Sequence, residues 1–373
     1  MTRREHELCE ACPKLCSFAC PVSEATSREA LTPWGKMSLA ALAPEDPSAA
    51  LALAGCTGCL RCQQHCAHGN DVPSALYAAR ASSVRAGVAP SVWTELAARF
   101  AASGHGEAVE LSAVRRSLDA GRAPAAGPIL FAGCDALAAG GASVRAALFV
   151  ARALGAPLSL APEGALCCGL KLVEAGWPDA FAAHARSTLH LVRGNTAAPL
   201  HVVFLQPGCA RAVLERYPAL PAGSRVEHVT TYLSRALARM PGHMRPPPLP
   251  GAVAYHDPCE LSRGLSEVTA PRALLSAAFE GGVLEPVRCG VQTSCCGAGG
   301  LLPRTLPEVA AKMAALRAGE LAACGAPAVT ASPGCAAALD AGEVVSVLAR
   351  WLGASRASGS GPAMRTRQGG SSE

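Results

Sequence analysis

The sequence predicts a helical N-terminal domain followed by two tandem α/β modules built from parallel βα units. Three observations predict it. The cysteines form two tight runs before residue 70 and two wider sets after residue 130. From about residue 128, short apolar runs alternate with Ala/Leu-rich segments of helical period, as βα units do. Three landmarks also recur in order at nearly one offset. Cys134 and Cys259 are 125 residues apart, Cys167-Cys168-Gly169 and Cys295-Cys296-Gly297 are 128 apart, and Pro207-Gly208-Cys209 and Pro333-Gly334-Cys335 are 126 apart. A repeat of that kind marks a tandem duplication.

Composition narrows the function. The 373 residues suggest two or three domains at about 100–200 residues each. Charged residues make up 16 % and the net charge of +5 is spread along the chain, with 4 % aromatics. A nucleic-acid binder concentrates its basic residues beside aromatics, so that class falls away. The 18 cysteines sit in a long chain whose start, MTRREHELCEACPKLC, has Arg3 and Arg4 but no apolar stretch. Secretory and twin-arginine leaders are therefore not expected. No uncharged run of about 18 apolar residues exists, since Arg152 interrupts LFVARALGAPLSL, the best candidate. A cytoplasmic chain keeps its thiols reduced, and reduced cysteines in clusters point to metal.

The elements follow in order. Residues 1–95 form the helical domain, with helices in LYAARASSVRAG and VWTELAARFAASG, and 96–127 form a helical connector. Residues 128–240 form the first module. Its strands lie in PILFAG, PLSLA, HVVFLQPG and RVEHV, and its helices in SVRAALFVARALG, DAFAAHARSTLHLVRG and TTYLSRALARM. A proline-rich linker, 241–251, leads to the second module, 252–352. Its strands lie in AVAYHDP and APAVTASPG, its helices in PRALLSAAFEGG and PEVAAKMAALRAGELAACG. The Gly/Ser/Arg-rich stretch 353–373 is expected to be a disordered tail.

Cys56-x2-Cys59-x2-Cys62-x3-Cys66 has the spacing of a bacterial ferredoxin run. Three thiolates on one tight loop reach three corners of an iron–sulfur cube, and the fourth, carried off on a helix, caps a neighbouring cube. Cys9-x2-Cys12-x3-Cys16-x3-Cys20-Pro21 supplies the partner run. Crossed ligation gives one 4Fe–4S cluster from Cys9, Cys12, Cys16 and Cys66, and another from Cys56, Cys59, Cys62 and Cys20. Two features depart from the usual run: an extra residue before Cys16, and Ala67 where proline usually follows. Zinc sites pair two Cys-x2-Cys knuckles across a longer gap, which these runs fit poorly. His65 and His68, flanking Cys66, read as polar neighbours.

Each module offers four more cysteines from three loops: Cys134, Cys167, Cys168 and Cys209 in the first, and Cys259, Cys295, Cys296 and Cys335 in the second. Glycines crowd these loops, as a backbone approaching a cluster requires, and loops at strand ends are where parallel sheets place ligands. One or both sets are expected to hold metal, as further iron–sulfur clusters or as zinc; the alternative is a set of buried structural thiols. Cys289 and Cys324 have no partner in the pattern. His256 and Asp257 precede a ligand position and either orient it or form an ordinary turn. Lys171 and Arg263 either balance cluster charge or are solvated.

Cys-x(32)-Cys-Cys-Gly…Pro-Gly-Cys and Cys-x(35)-Cys-Cys-Gly…Pro-Gly-Cys resemble the duplicated cysteine-rich CCG domain of the heterodisulfide reductase and glycolate oxidase iron–sulfur subunit superfamily. Tyr255-His-Asp-Pro-Cys259-Glu-Leu-Ser-Arg263-Gly, Cys295-Cys-Gly-Ala-Gly-Gly300 and Thr32-Pro-Trp-Gly-Lys36 carry the likeness, which covers roughly residues 5–352. It implies an α-helical ferredoxin-like domain feeding two CCG modules. One departure matters. In disulfide-reducing members each module ends in Cys-x-x-Cys, whereas here the ends read Cys209-Ala-Arg-Ala212 and Cys335-Ala-Ala-Ala338. The sequence has no strand–GxGxxG–helix fingerprint, so neither flavin nor NAD is expected on this chain. The resemblance implies electron transfer between a flavoprotein dehydrogenase subunit, of 2-hydroxy acid or glycerol 3-phosphate type, and a quinone or soluble carrier. Any membrane association is then peripheral, through a partner. The rival readings are a thiol–disulfide (heterodisulfide) reductase and a zinc-bearing structural or assembly protein.

Overall fold

A computed structural model describes residues 8–9, 12–119, 127–194 and 197–358. The N-terminal part is helical, and prolines open its short helices Pro21–Thr26, Pro33–Leu39 and Pro47–Leu53, where the missing N–H costs nothing. Side chains cap the orphan donors. Thr32 Oγ1 accepts from Gly35 N at 2.9 Å, and Asp71 Oδ1 accepts from Ser74 N at 3.2 Å ahead of helix Val72–Arg85. Among the described residues, no helix is long and apolar enough to cross a membrane.

The rest folds as two small parallel sheets. Strands β1 (Ile129–Phe131), β2 (Ser159–Leu160), β3 (His201–Phe204) and β4 (Arg225–His228) lie in the order β2-β1-β3-β4. Strands β5 (Val253–His256), β6 (Val283–Leu284), β7 (Ala328–Thr330) and β8 (Gly342–Glu343) lie in the order β6-β5-β7-β8. The two orders are the same order, so the repeat in sequence is a repeat of topology. In both sheets the chain turns in opposite directions from the first and third strands, which opens a crevice at their C-terminal ends. The two-residue strands β6 and β8 were not among the expected ones, whereas the equally short β2 lies in the expected run PLSLA.

The modules pack about a pseudo-two-fold axis. Helix Ala142–Ala153 of the first lies on Val344–Ser358 of the second, and their counterparts Ala270–Ala278 and Val229–Arg239 lie on each other. Helix Pro207–Arg216 meets the single π turn Glu260–Gly264, and helix Cys134–Ala138 meets Pro333–Leu339. Ser332 Oγ donates to Gln206 Oε1 at 2.8 Å. These two residues occupy equivalent positions before the Pro-Gly-Cys landmarks. Gly208 comes so close to the π turn that a Cβ there would lie 1.8 Å from Glu260 Oε2.

One apolar core runs through both modules and takes in Trp93, Leu96 and Phe100 of helix Ser91–Ser103. That helix spans the expected boundary at residue 95. The last helix runs on to Ser358, past the expected start of the tail, whose residues 359–373 lie outside the described residues.

Candidate metal centres

The N-terminal cysteines gather around two neighbouring cavities. Cys9, Cys12, Cys16 and Cys66 line one, together with His65 and His68. Cys20, Cys56 and Cys59 line the other, and Cys62 borders both. Two left-handed turns bring each run into place: Lys14 (φ 63°) and Leu60 (φ 60°) each stand two residues before the third cysteine of their run. The extra residue before Cys16 is thus taken up ahead of the turn. Asn70 Nδ2 reaches Cys9 Sγ at 3.4 Å, and Trp34 Nε1 donates to Cys9 O at 2.8 Å. Burial, then the facing Cys12 and Cys9, push the Cys16 thiol up to about 11.

In the first module, Cys134 follows β1, Cys167 and Cys168 follow β2, and Cys209 follows β3, so the crevice collects all four. Cys167 Sγ lies 3.5 Å from Cys134 Sγ, and Cys168 is hydrogen-bonded to Cys209. The bond to Cys167, then burial, lift Cys134 well above the usual thiol value. The Cys168 bond pulls the Cys209 thiol down, but burial together with the facing Cys134, Cys167 and Asp135 takes it up to about 11. Four buried sulfurs that resist ionisation become thiolates only beside a cation, so this donor set fits a metal group.

The second module repeats the arrangement. Cys259 Sγ lies 3.9 Å from Cys295 Sγ, and Cys296 is hydrogen-bonded to Cys335. The bond from Cys259 holds Cys295 below the usual thiol value. His256 at the end of β5 has a ring nitrogen within 4.8 Å of the Cys296 and Cys335 sulfurs. Burial, with Arg317 and Arg263 nearby, keeps its imidazole neutral far below the usual value. Asp257, the other residue with an open reading, is an anchor: Arg272 grips both its oxygens at 2.7 and 2.8 Å.

The second N-terminal cavity and the second module touch. Cys59 is hydrogen-bonded to Cys295, and Cys295 Sγ lies 3.5 Å from Thr57 Oγ1. Arg263 donates from Nε to Cys59 O at 2.6 Å and from Nη1 to Thr293 O at 2.9 Å. It is therefore buried between backbone carbonyls rather than solvated. Gly300, at φ 66°, lies so close that a Cβ would sit 2.3 Å from Cys56 O.

Between the modules lies a cavity of about 500 Å³ lined by Cys134, Cys168 and Cys209, by Ala338, and by Lys171, Arg304 and several carboxylates. Lys171 Nζ bridges Glu107 Oε1 at 2.5 Å and Asp135 Oδ1 at 2.7 Å, and Arg304 Nη2 meets Glu107 at 3.0 Å. Glu107, Asp135 and Cys134 place ligand atoms within 4.8 Å of one another, and Lys171 supplies the positive charge there. Burial, then Glu260, lift the Glu174 carboxyl to about 7.

The folded chain thus holds a proton on Glu174 that the unfolded chain releases near 4.5, and stability falls as pH rises from 4.5 to 7. Glu174→Gln is expected to flatten that slope and to stabilise the protein at pH 8 by an amount of order 3 kcal/mol. Melting temperatures that follow pH identically in both proteins would contradict it.

Sequence reasoning did not find Thr57, Glu107, Glu174 or Arg304. Their partners are far away in sequence, and none stands in a spacing that signals a site. Cys324 falls just past helix Pro307–Ala322 and points Sγ at Glu320 O, 3.7 Å away. Cys289 is partly exposed beside Glu285 and Asp257.

A family profile described as a cysteine-rich domain (CCG) matches residues 253–340, the span of the second module's cysteines. The chain is 27 % identical to a fumarate reductase (CoM/CoB) subunit of Methanothermobacter marburgensis over 149 residues, 40 % of this chain and 28 % of that one. It is 28 % identical to a dihydromethanophenazine:CoB–CoM heterodisulfide reductase subunit of Methanosarcina barkeri over 276 residues, 69 % of this chain and 65 % of that one. It is 30 % identical to lactate utilization protein A of Shouchella clausii over 182 residues, 44 % of this chain and 70 % of that one. The first two relatives are longer proteins, of which the chain spans less than two thirds. With a cysteine-rich module matched and its duplicate built on the same strand order, the chain belongs to the superfamily of iron–sulfur oxidoreductase subunits that includes lactate utilization protein A and the heterodisulfide reductase relative.

Proposed function

We propose that the chain is the electron-transfer subunit of an oxidoreductase complex. The N-terminal domain, to about residue 95, holds two 4Fe–4S clusters in the crossed arrangement. Each module holds a further thiolate-bound centre, iron–sulfur in preference to zinc. The observation that carries this reading is the contact between Cys59 and Cys295, which makes the sulfur sets of two domains adjoin. Clusters of this kind supply one-electron carriage at potentials set by burial and by hydrogen bonds to sulfur. The chain's own residues bury the sulfurs, fix the loops through Gly300 and Arg263, and donate to Cys9 from Asn70. Substrate chemistry then belongs to a partner, a flavoprotein dehydrogenase of 2-hydroxy acid or glycerol 3-phosphate type, and the acceptor is a quinone or soluble carrier.

Anaerobic purification followed by iron, sulfide and zinc analysis tests this reading. At least about eight irons per chain are expected, with rapid bleaching by a reduced flavoprotein. A colourless protein holding stoichiometric zinc would refute it.

A second reading, reduction of a disulfide, draws support from the cavity between the modules, which is large enough for a small ligand and borders one set of sulfurs. Ala338 lines that cavity where disulfide-reducing members carry the extra cysteine. With four thiols per set, a filled site is coordinatively closed. Negligible disulfide reductase activity is therefore expected from the isolated chain with a strong artificial reductant. Steady turnover of a heterodisulfide would favour the second reading over the first.

A further inference from the structure

We propose that His256 donates an N–H···S hydrogen bond from Nε2 to the Cys296 and Cys335 sulfurs, and that this bond makes the second module's centre easier to reduce than the first. This rests on the reading that a thiolate-bound iron–sulfur group occupies the second set.

The tautomer follows from the neighbours. His256 is fully buried at the end of β5. Arg317 donates from Nε to His256 Nδ1 at 3.0 Å. An imidazole nitrogen that accepts has no proton, so in the neutral ring the proton sits on Nε2. Arg317 is itself buried and held by Glu320, by Arg288 O at 3.0 Å and by Thr293 Oγ1 at 3.3 Å, so the ring cannot turn over without breaking that network. Among the described residues Nε2 has no hydrogen-bond partner, and a buried donor left unmade is costly. A ring nitrogen lies within 4.8 Å of both the Cys296 and the Cys335 sulfur, which makes these sulfurs the acceptors the site offers to the donor.

The first module lacks this device. Phe131 ends β1 where His256 ends β5, and it pairs in register with Phe204, whereas His256 pairs with Thr330. Phe131 and Phe204 stack at 5.2 Å. At the offset set by the Cys-Cys-Gly runs, Leu189 stands where Arg317 does. One module has an apolar pair at the strand ends, the other a fixed N–H donor. Hydrogen bonds to cluster sulfur favour the state with the extra electron and so raise the potential.

The test uses the full chain purified anaerobically with its iron: wild type, His256→Phe, His256→Gln, and Cys335→Ser to mark which signal belongs to the second set. Iron and sulfide content, potentiometric EPR and pulsed-EPR nitrogen coupling are read on each. In the wild type a weak nitrogen coupling is expected on the second-set signal, and it disappears in His256→Phe. In that variant the equilibrium constant for reducing the second centre falls about tenfold, ~59 mV for one electron, with iron content and the other centres unchanged. His256→Gln, which keeps an N–H donor, recovers part of the shift. Normal iron with an unmoved potential in His256→Phe overturns the proposal, as does a strong nitrogen coupling, which would make His256 a ligand. If His256→Phe fails to fold, the wild-type coupling and His256→Gln still decide. If Cys335→Ser changes no signal, the second set holds no such group, and the underlying reading fails together with the proposal.

Discussion

Cys66→Ser is expected to remove about four irons per chain, and the cluster lost is the one beside Cys9, Cys12 and Cys16. Sequence proximity predicts the opposite, since Cys66 closes the run that begins at Cys56. The structure places its thiol in the cavity of the earlier run, while Cys20 sits in the cavity of the later one. Double substitutions make the assignment decisive, because residues serving one site are non-additive and residues serving separate sites add. Cys12→Ser combined with Cys66→Ser should lose no more iron than either alone. Cys59→Ser combined with Cys66→Ser should lose both clusters. Iron analysis with EPR on the full chain reads the result. Additive loss for Cys12 and Cys66 would show that the ligands are not crossed.

Arg80→Ala is expected to destabilise the protein by at least about 3 kcal/mol, more than any surface substitution. Arg80 lies fully buried on helix Val72–Arg85 and binds three carbonyls. Nη1 donates to Glu174 O at 2.7 Å, and Nη2 donates to Leu53 O at 2.7 Å and to Cys56 O at 3.0 Å. Its guanidinium also lies over the rings of Tyr77 and Trp93, at 5.2 and 5.5 Å. One side chain therefore ties the second cysteine loop, the N-terminal helices and the first module together. Truncation leaves three carbonyls without this donor and opens a void. Arg80→Met refills much of the volume without restoring a donor, and Arg80→Lys presents an ammonium point charge in place of the planar fork. Both should recover less than half of the lost stability. Urea midpoints followed by circular dichroism, at matched iron content, measure it. A midpoint for Arg80→Met equal to wild type would show that packing alone accounts for the residue.

What the sequence made readable was whatever is local. Most expected strands were short apolar runs close to proline, glycine or a cysteine landmark, and β1, β2, β3, β4, β5 and β7 lie in the expected runs. The grouping of the cysteines was readable for the same reason, since ligand spacing on one loop is a local property. Long-range contacts were not readable. Thr57 meets Cys295, and Arg304 meets Glu107, pairs joined only by the folded chain. Buried charge was the other gap. Lys36, Arg80 and Arg317 look like solvated residues in a sequence, yet each is satisfied by atoms that local pattern does not reveal. Lys171 and Arg263 allowed two readings, and their buried partners choose between them.

The pairing of Gln206 with Ser332 has a consequence for ancestry. A contact between equivalent positions lies on the axis of an isologous interface, where a residue meets its own copy. The same surfaces meet twice around it, Cys134–Ala138 on Pro333–Leu339 and Pro207–Arg216 on Glu260–Gly264. A chain of one module with such a face has what it needs to form a homodimer. In that dimer both halves are bound to change together, because one gene encodes both. Fusion into a single chain releases this constraint. In the single chain one half seats the helical domain on its cysteine loop, and the equivalent strand ends differ, Phe131 in one half and His256 in the other. The fold thus has the arrangement of a dimer with the freedom to be asymmetric, and two sulfur sets in unlike surroundings use that freedom.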